Sequence, residues 1–207
     1  MAKRSLTVFV KEPVPGKVKT RLVPPMTKTE AAELYRSWAR EIFGKVRQLG
    51  GVRVQVAYEP LSSKIAPDWL SENGEEVPFF LQCGSNLGER MKNAFEKSFT
   101  EGFDSAILIG SDSPGLPLET VAAGFEALET HDVVLGPTPD GGYYLIGLKN
   151  KFPGPLFDGI EWSSKSVLER TRKNAGRLAL RSALLPEYFD IDRPEDLAAY
   201  QDAHIRP

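Results

Sequence analysis

Ser105-Ala-Ile-Leu-Ile-Gly-Ser-Asp-Ser-Pro-Gly-Leu-Pro117 is the stretch on which the fold turns. Ser105 to Ile109 is a short apolar run and reads as a buried strand. It ends in a tight turn shaped by Pro114 and Gly115, and Leu118 to Glu129 then reads as a helix. A strand, a loop holding the lone carboxylate of Asp112, and a helix together form the repeating element of an α/β protein, in which ligands bind beyond the carboxyl ends of the strands.

Outward from that stretch the same alternation recurs. Ser5 to Val10, Val52 to Tyr58, Val77 to Gln82, Asp132 to Leu135, Tyr143 to Leu148 and Arg177 to Leu185 read as further strands. The clearest helix is Thr29 to Leu49, where Leu34, Trp38, Ile42, Val46 and Leu49 form one apolar stripe. Leu87 to Thr100, Ser164 to Ala175 and Glu195 to Ala203 complete the helical set. Right-handed crossovers turn this order into a three-layer α/β/α fold around a mostly parallel, mixed sheet, with Tyr143 to Leu148 as its antiparallel member. No repeat or composition shift marks a linker, so residues 1–207 read as a single domain.

A net charge of −2 spread over 207 residues gives no field that would gather nucleic acid or acidic lipid, so any anion binding is local. One cysteine, Cys83, excludes an internal disulfide. His131 and His204 are too few for a zinc cluster of imidazole and thiolate, so a metal here is expected to be hard and oxygen-bound. No apolar run approaches the roughly 20 residues of a membrane span. The start of the chain has too short an apolar core for a signal peptide, which makes the cytoplasm the expected location. Nothing in the sequence fixes an oligomeric state.

Five loops follow predicted strands and carry the chemistry. Lys11-Glu-Pro-Val-Pro-Gly-Lys-Val-Lys-Thr-Arg-Leu22 sets Lys11, Lys17, Lys19 and Arg21 against one Glu12. Pro15 and Gly16 stiffen the turn and allow close approach, and the cations suit phosphate oxygens; a solvated surface loop is the plainer reading. It is not a Walker loop, and no Gly-x-Gly-x-x-Gly fingerprint is present. In Gln82-Cys-Gly-Ser-Asn-Leu-Gly-Glu-Arg90, Gly84 and Gly88 permit a flat ligand to meet backbone, and Gln82 or Asn86 matches a base edge. A helix cap at Ser85 or Asn86 explains the same residues.

Asp112 is the leading metal ligand, with an Asx-turn as its competitor. Asp140, Gly141 and Gly142 are both a hairpin signal and an acceptor-side candidate, with Tyr143 or Tyr144 placed to meet a base, sugar or acceptor. Asp190 and Asp192 alternate along an extended segment, so only one faces the crevice, and Asp192 also suits a cap on the last helix. Trp162-Ser-Ser-Lys165 reads as an acceptor wall or, more economically, as a cap at Ser163 beside a packing tryptophan.

The motifs Lys-x-Pro-x-Pro-Gly-Lys-x-Lys-Thr-Arg-Leu, Leu-Gly-Glu-Arg-Met, Gly-Ser-Asp-Ser-Pro-Gly-Leu-Pro, Asp-Gly-Gly-Tyr-Tyr-Leu-Ile-Gly-Leu and Asp-Ile-Asp-x-Pro-Glu-Asp-Leu span Lys11 to Leu197. Together they resemble a bacterial family of glycosyltransferase A-like proteins, often labelled nucleotide-diphospho-sugar transferases or radical-SAM-associated glycosyltransferases. More distantly the chain is similar to the deazaflavin-pathway guanylyltransferase and to molybdenum-cofactor nucleotidyltransferases. The resemblance implies the nucleotide-diphospho-sugar transferase fold and a nucleotide or nucleotide-sugar held by Lys11, Pro15, Gly16, Lys17, Gln82, Gly84, Gly88 and Arg90. It also implies Mg²⁺ or Mn²⁺ on Asp112 and Asp192, and a small-molecule acceptor beside Asp140 to Tyr143. Lys19, Arg21 and Asp112 are the implied catalytic residues. Ser111-Asp112-Ser113 lacks the second acid of the glycosyltransferase Asp-x-Asp motif, which favours nucleotidyl over glycosyl transfer. A non-catalytic nucleotide-binding module and a phosphohydrolase are the competing readings.

Overall fold

β1 (Arg4–Lys11) runs through the middle of the sheet, where Leu6, Val8 and Val10 are fully buried. The structure, a computed structural model, describes residues 2–63, 65–71 and 74–205. The remaining strands are β2 (Val52–Glu59), β3 (Phe79–Leu81), β4 (Ser105–Ile109), β5 (Val133–Pro137), β6 (Tyr143–Lys149) and β7 (Ser182–Leu184). They form one sheet in the order β3-β2-β1-β4-β6-β5-β7. Every pairing is parallel except the two made by β6, as the sequence predicts.

The helices are α1 (Lys28–Val46), α2 (Leu87–Thr100), α3 (Leu118–Thr130), α4 (Val167–Arg177) and α5 (Pro194–Ile205). α1 starts on a capping box: Thr27 Oγ1 accepts the Glu30 N–H at 3.2 Å, and Glu30 Oε2 accepts the Thr27 N–H at 2.7 Å. Ala39, Ile42, Phe43 and Val46 of its buried stripe pack with α3 on one sheet face. Met91, Ala94 and Phe95 of α2 and Ala175 of α4 cover the other. This is the expected three-layer arrangement. α5 lies against the first half of α1, where Leu22, Ala31, Trp38 and Ile191 are buried together and Leu197 and Tyr200 pack on them. Among the described residues no helix is long and apolar enough to cross a membrane.

Several boundaries differ from expectation: α1 ends at Val46 rather than Leu49, and β3 covers only Phe79–Leu81 of the expected Val77 to Gln82. Arg177 to Leu185 was expected as strand, but α4 continues through Arg177, and the Leu178 N–H still finds the carbonyls of Asn174 and Ala175. Only Ser182–Leu184 is left for β7. The same helix begins at Val167 rather than Ser164, with Ser166 as its cap; Ser163, read as the cap, instead takes a left-handed φ of 64°.

Candidate functional site

The loops after β1, β3 and β4 meet the beginning of β6 at one edge of the sheet, because β6 is antiparallel and starts where its neighbours end. They enclose a crevice of about 530 Å³, within the range of about 300–1,000 Å³ usual for small-molecule sites. Lys11, Lys17, Lys19, Arg21, Gln82, Arg90, Asp112, Tyr143 and Asp192 all line it, so the structure brings together nine of the residues singled out in the sequence, from five separate segments.

The floor is built around Lys19. Its side chain is only 4% exposed, its ammonium stands 2.6 Å from Asp112 Oδ1 and donates to the Ile191 carbonyl at 2.6 Å, and it sits 5.5 Å from the centre of the Trp38 ring. The Ile191 N–H in turn donates to the Asp112 carbonyl at 2.9 Å. Lys19 therefore clamps the β4 loop to the segment before α5. Its charge meets Asp112 at the crevice floor, while the sequence reading expects it to act on phosphate.

Asp112, with 48% of its side chain exposed, opens toward the crevice. Asp190, beside it, is hydrogen-bonded by the Ser113 hydroxyl. Burial, and after it the charge of Asp112, push the Asp190 carboxyl up to about 6. Asp192, expected as the second metal ligand, instead pairs with Arg21, and its N–H is capped by Asp196 Oδ2 at 3.1 Å. Ile191 is buried between the two acids, yet both acids line the crevice, which corrects the expectation that only one would face it; they differ in their partners. The carboxylate whose charge is coupled to Asp112 is Asp190.

On the opposite wall, Gln82 spends its amide on the protein: Nε2 donates to the Ala57 carbonyl at 3.0 Å and the Val10 carbonyl at 3.4 Å, and Oε1 accepts from Arg90 at 3.4 Å. Arg90 also donates to the Gly84 carbonyl at 3.2 Å and pairs with Glu59 Oε1 at 2.7 Å. Glu59 Oε2 lies 3.6 Å from the Lys11 ammonium. Thus Glu59, one residue beyond the strand read from the sequence and not singled out there, anchors two crevice cations from behind. Lys17 has no ion pair among the described residues.

Other predicted residues serve the architecture of the loops. Asn86, not Ser85, caps α2, accepting the Glu89 N–H at 3.0 Å. Pro15 and Gly16 form the turn closed by the Lys17 N–H on the Val14 carbonyl at 2.9 Å. Gly84, at φ 134°, is tucked against Glu89 and Arg90 and does not line the crevice. Asp140 Oδ1 accepts from Thr138 Oγ1 at 2.6 Å and the Gly142 N–H at 3.1 Å. With Gly141 under the Lys165 carbonyl, the Asp-Gly-Gly run is the β5–β6 turn and lies outside the crevice wall. The Tyr143 ring lines the crevice, but its hydroxyl is buried beside Thr171, so it is not presented to an acceptor.

Gly88 is also structural: it lies beneath Trp162, and a Cβ there would stand 2.5 Å from the indole. Gly88→Ala is expected to lower stability by about 1–3 kcal/mol through overpacking. It should also shift the indole fluorescence, because Trp162 must move and carry Ser163, a crevice residue, with it. An unchanged melting temperature and emission would show that the tryptophan does not rest on this helix.

Comparison with known proteins bears on the fold and the family. Residues 42–164 match the family described as Uncharacterized protein conserved in bacteria (DUF2064). Over 196 residues the chain is 26% identical to the phosphoenolpyruvate guanylyltransferase of Chloroflexus aggregans (strain MD-66 / DSM 9485), an alignment covering 88% of this chain and 90% of that protein. A Desulfovibrio desulfuricans G20 protein, provisionally designated a nucleotide-diphospho-sugar transferase, has a crystal structure that superposes with a TM-score of 0.93 at 35% identity. That superposition covers 100% of this chain and 89% of the other. The 4-diphosphocytidyl-2C-methyl-D-erythritol synthase of Anaerococcus prevotii DSM 20548 shares the fold alone, with a TM-score of 0.64 at 11% identity over 99% of this chain and 97% of that one. A family match across more than half its length and a relative 35% identical along all of it mean that the chain belongs to the bacterial family DUF2064, with the fold of nucleotide-diphospho-sugar transferases.

Proposed function

We propose that this chain is a nucleotidyltransferase that takes a nucleoside triphosphate, GTP first among them, and passes the nucleotidyl group to a small anionic acceptor. The chain is an enzyme of the transferase class, nucleotidyl or nucleotide-sugar, in line with its guanylyltransferase and sugar-transferase relatives. The observation that carries the finer reading is the charge layout of the crevice: Asp112 and Asp190 are coupled on the floor, and Lys11, Lys17 and Arg21 stand around them.

That layout suits attack on phosphorus. A new P–O bond forms between an acceptor oxygen and the α-phosphorus as the bond to the bridging oxygen breaks, and pyrophosphate leaves. No covalent nucleophile is required, only positioning and electrostatic stabilisation. Lys17, with no ion pair among the described residues, and Lys11 are placed to take the negative charge of the leaving group; Arg21 would exchange Asp192 for a phosphate oxygen.

The donor set fits Mg²⁺ or Mn²⁺. Asp112 and Asp190 are oxygen donors, no histidine or cysteine is among the crevice residues described, and a cation between the two acids would relieve the repulsion from Asp112 that, after burial, raises Asp190. Among the described residues no group of three or more acidic, histidine or cysteine side chains is set to hold a metal, so waters and phosphate oxygens would complete the shell, as is usual for magnesium. When bound, such an ion neutralises triphosphate charge and polarises the electrophilic phosphorus.

The guanylyltransferase relative supports GTP as donor and phosphoenolpyruvate as the first acceptor to try. The designation of the 35% identical relative favours nucleotide-sugars as the second reading. Both are tested by thermal shift against triphosphates, diphosphates and nucleotide-sugars, each with Mg²⁺, Mn²⁺ or chelator. A ligand at 100 times its Kd adds about 2.7 kcal/mol, or roughly 5–10 °C for a chain of this length. The expected result is a metal-dependent shift with GTP, followed by pyrophosphate release when phosphoenolpyruvate is added. A shift with nucleotide-sugars alone would move the reaction to glycosyl transfer, and no shift with any of them would sink the nucleotide reading.

A further inference from the structure

The hydroxyl of Tyr35 reaches from α1 into the seam between two crevice loops. The residue is 3% exposed. Its oxygen accepts the Lys11 N–H at 2.9 Å and lies 2.8 Å from Ser111 Oγ. Lys11 ends β1, and Ser111 immediately precedes Asp112. Tyr35 sits among apolar core residues of α1, where a phenylalanine would fill the same volume, so the helix itself does not require the phenol.

The direction of the second bond follows from what the phenol oxygen already accepts. A phenol has one hydrogen to give. The phenol oxygen already accepts the Lys11 N–H, so its own hydrogen is turned to Ser111 Oγ, and the hydrogen left over is that of Ser111, which lines the crevice although the residue is only 3% exposed. Tyr35 therefore donates to Ser111 Oγ. The order is Lys11 N–H to Tyr35, then Tyr35 O–H to Ser111. Burial keeps the phenol protonated by pushing its pKa far above the ordinary range, and the nearby charge of Asp112 adds to that.

With its lone pair taken from behind, Ser111 has its own hydrogen left over, and it lines the crevice. We propose that Ser111 is a ligand-binding residue whose hydroxyl is held by Tyr35 as a donor to a phosphate oxygen of the nucleotide, with Tyr35 as its positioning residue. This rests on the nucleotide reading above and adds to it one contact and its supporting group. It also explains why a tyrosine stands in an otherwise apolar stripe. Without the phenol, the serine hydroxyl is free to turn toward Asp112 or the backbone and is no longer presented to phosphate.

The test is a double-mutant cycle on binding of GTP and of inorganic pyrophosphate, each with Mg²⁺, by calorimetry. Ser111→Ala and Tyr35→Phe are each expected to weaken binding about 10-fold, the usual worth of a hydrogen bond to a charged group, and the double variant is expected to be no weaker than either single one. Ile42→Val, a core change in the same helix remote from the crevice, controls for general loss of stability and is expected to leave affinity unchanged. If Ser111→Ala loses affinity while Tyr35→Phe does not, or if the two losses multiply, the relay is wrong. Wild-type-like binding by Ser111→Ala overturns the proposal by itself, even if Tyr35→Phe fails to fold. If the wild type binds neither probe, the nucleotide reading falls and the relay with it; binding by the wild type with unaffected variants overturns the relay alone.

Discussion

Asp112→Asn is expected to reduce metal-dependent turnover by about 10²–10³-fold, the range found when one preorganised electrostatic group is removed from a transition state. Asparagine keeps an oxygen near Lys19 but lacks the charge that would hold a divalent cation. It also leaves a side chain that is 4% exposed carrying an ammonium without its counter-ion. The substitution therefore changes two things, and they separate by measurement. Pyrophosphate release at saturating GTP and metal reports the catalytic loss; a melt without ligand reports the loss of the ion pair. Because Asp112 is half exposed, water screens part of that second loss, and it should be the smaller effect. Turnover within a few-fold of wild type would remove Asp112 from the reaction and leave it as the partner of Lys19.

The second large effect concerns stability. Lys19→Ala removes the donor to the Ile191 carbonyl, uncovers the face of Trp38 and unpairs Asp112 in one step. A loss of about 2–4 kcal/mol follows from an unsatisfied buried carbonyl together with vanished packing. For a chain of this length that is a drop of roughly 5–15 °C in Tm. Lys19→Met, which retains the stem, should recover part of it. A Lys19→Ala protein that melts with the wild type would mean that the segment before α5 is held by other contacts, such as the Ile191 N–H on the Asp112 carbonyl.

These two residues also mark where sequence reading stops. Lys19 looks in sequence like Lys17, another cation in a basic, proline-rich loop. What distinguishes them is that Lys19 takes a left-handed backbone conformation, φ 46°, which turns its side chain inward over Trp38. Lys17, two residues earlier, remains exposed at the mouth. No local signal separates a lysine that clamps the fold from one that meets solvent, because the difference lies in what α1 and α5 bring to the same place.

Glycines behaved similarly. Gly88 and Gly142 have the composition of ligand-binding loops, yet one makes room for an indole from 74 positions further along the chain and the other completes a hairpin.

The amino-acid sequence alone determined the order of the seven strands and five α-helices among the described residues, the antiparallel place of β6 and the edge of the sheet where the crevice lies. Hydrophobic periodicity and turn chemistry act over a few residues, so these features are written locally. It likewise supplied the residue types of the crevice, since carboxylates and cations stranded after apolar strands have few other uses. Tertiary structure alone decided the pairing: Lys19 with Asp112, Arg21 with Asp192, Asp190 as the acid coupled to Asp112, Glu59 behind Arg90, and Tyr35 behind Ser111. Those partners are separated by 31 to 171 residues, and a charge or hydroxyl selects among candidates by distance and burial, quantities that exist only once the layers have closed on one another.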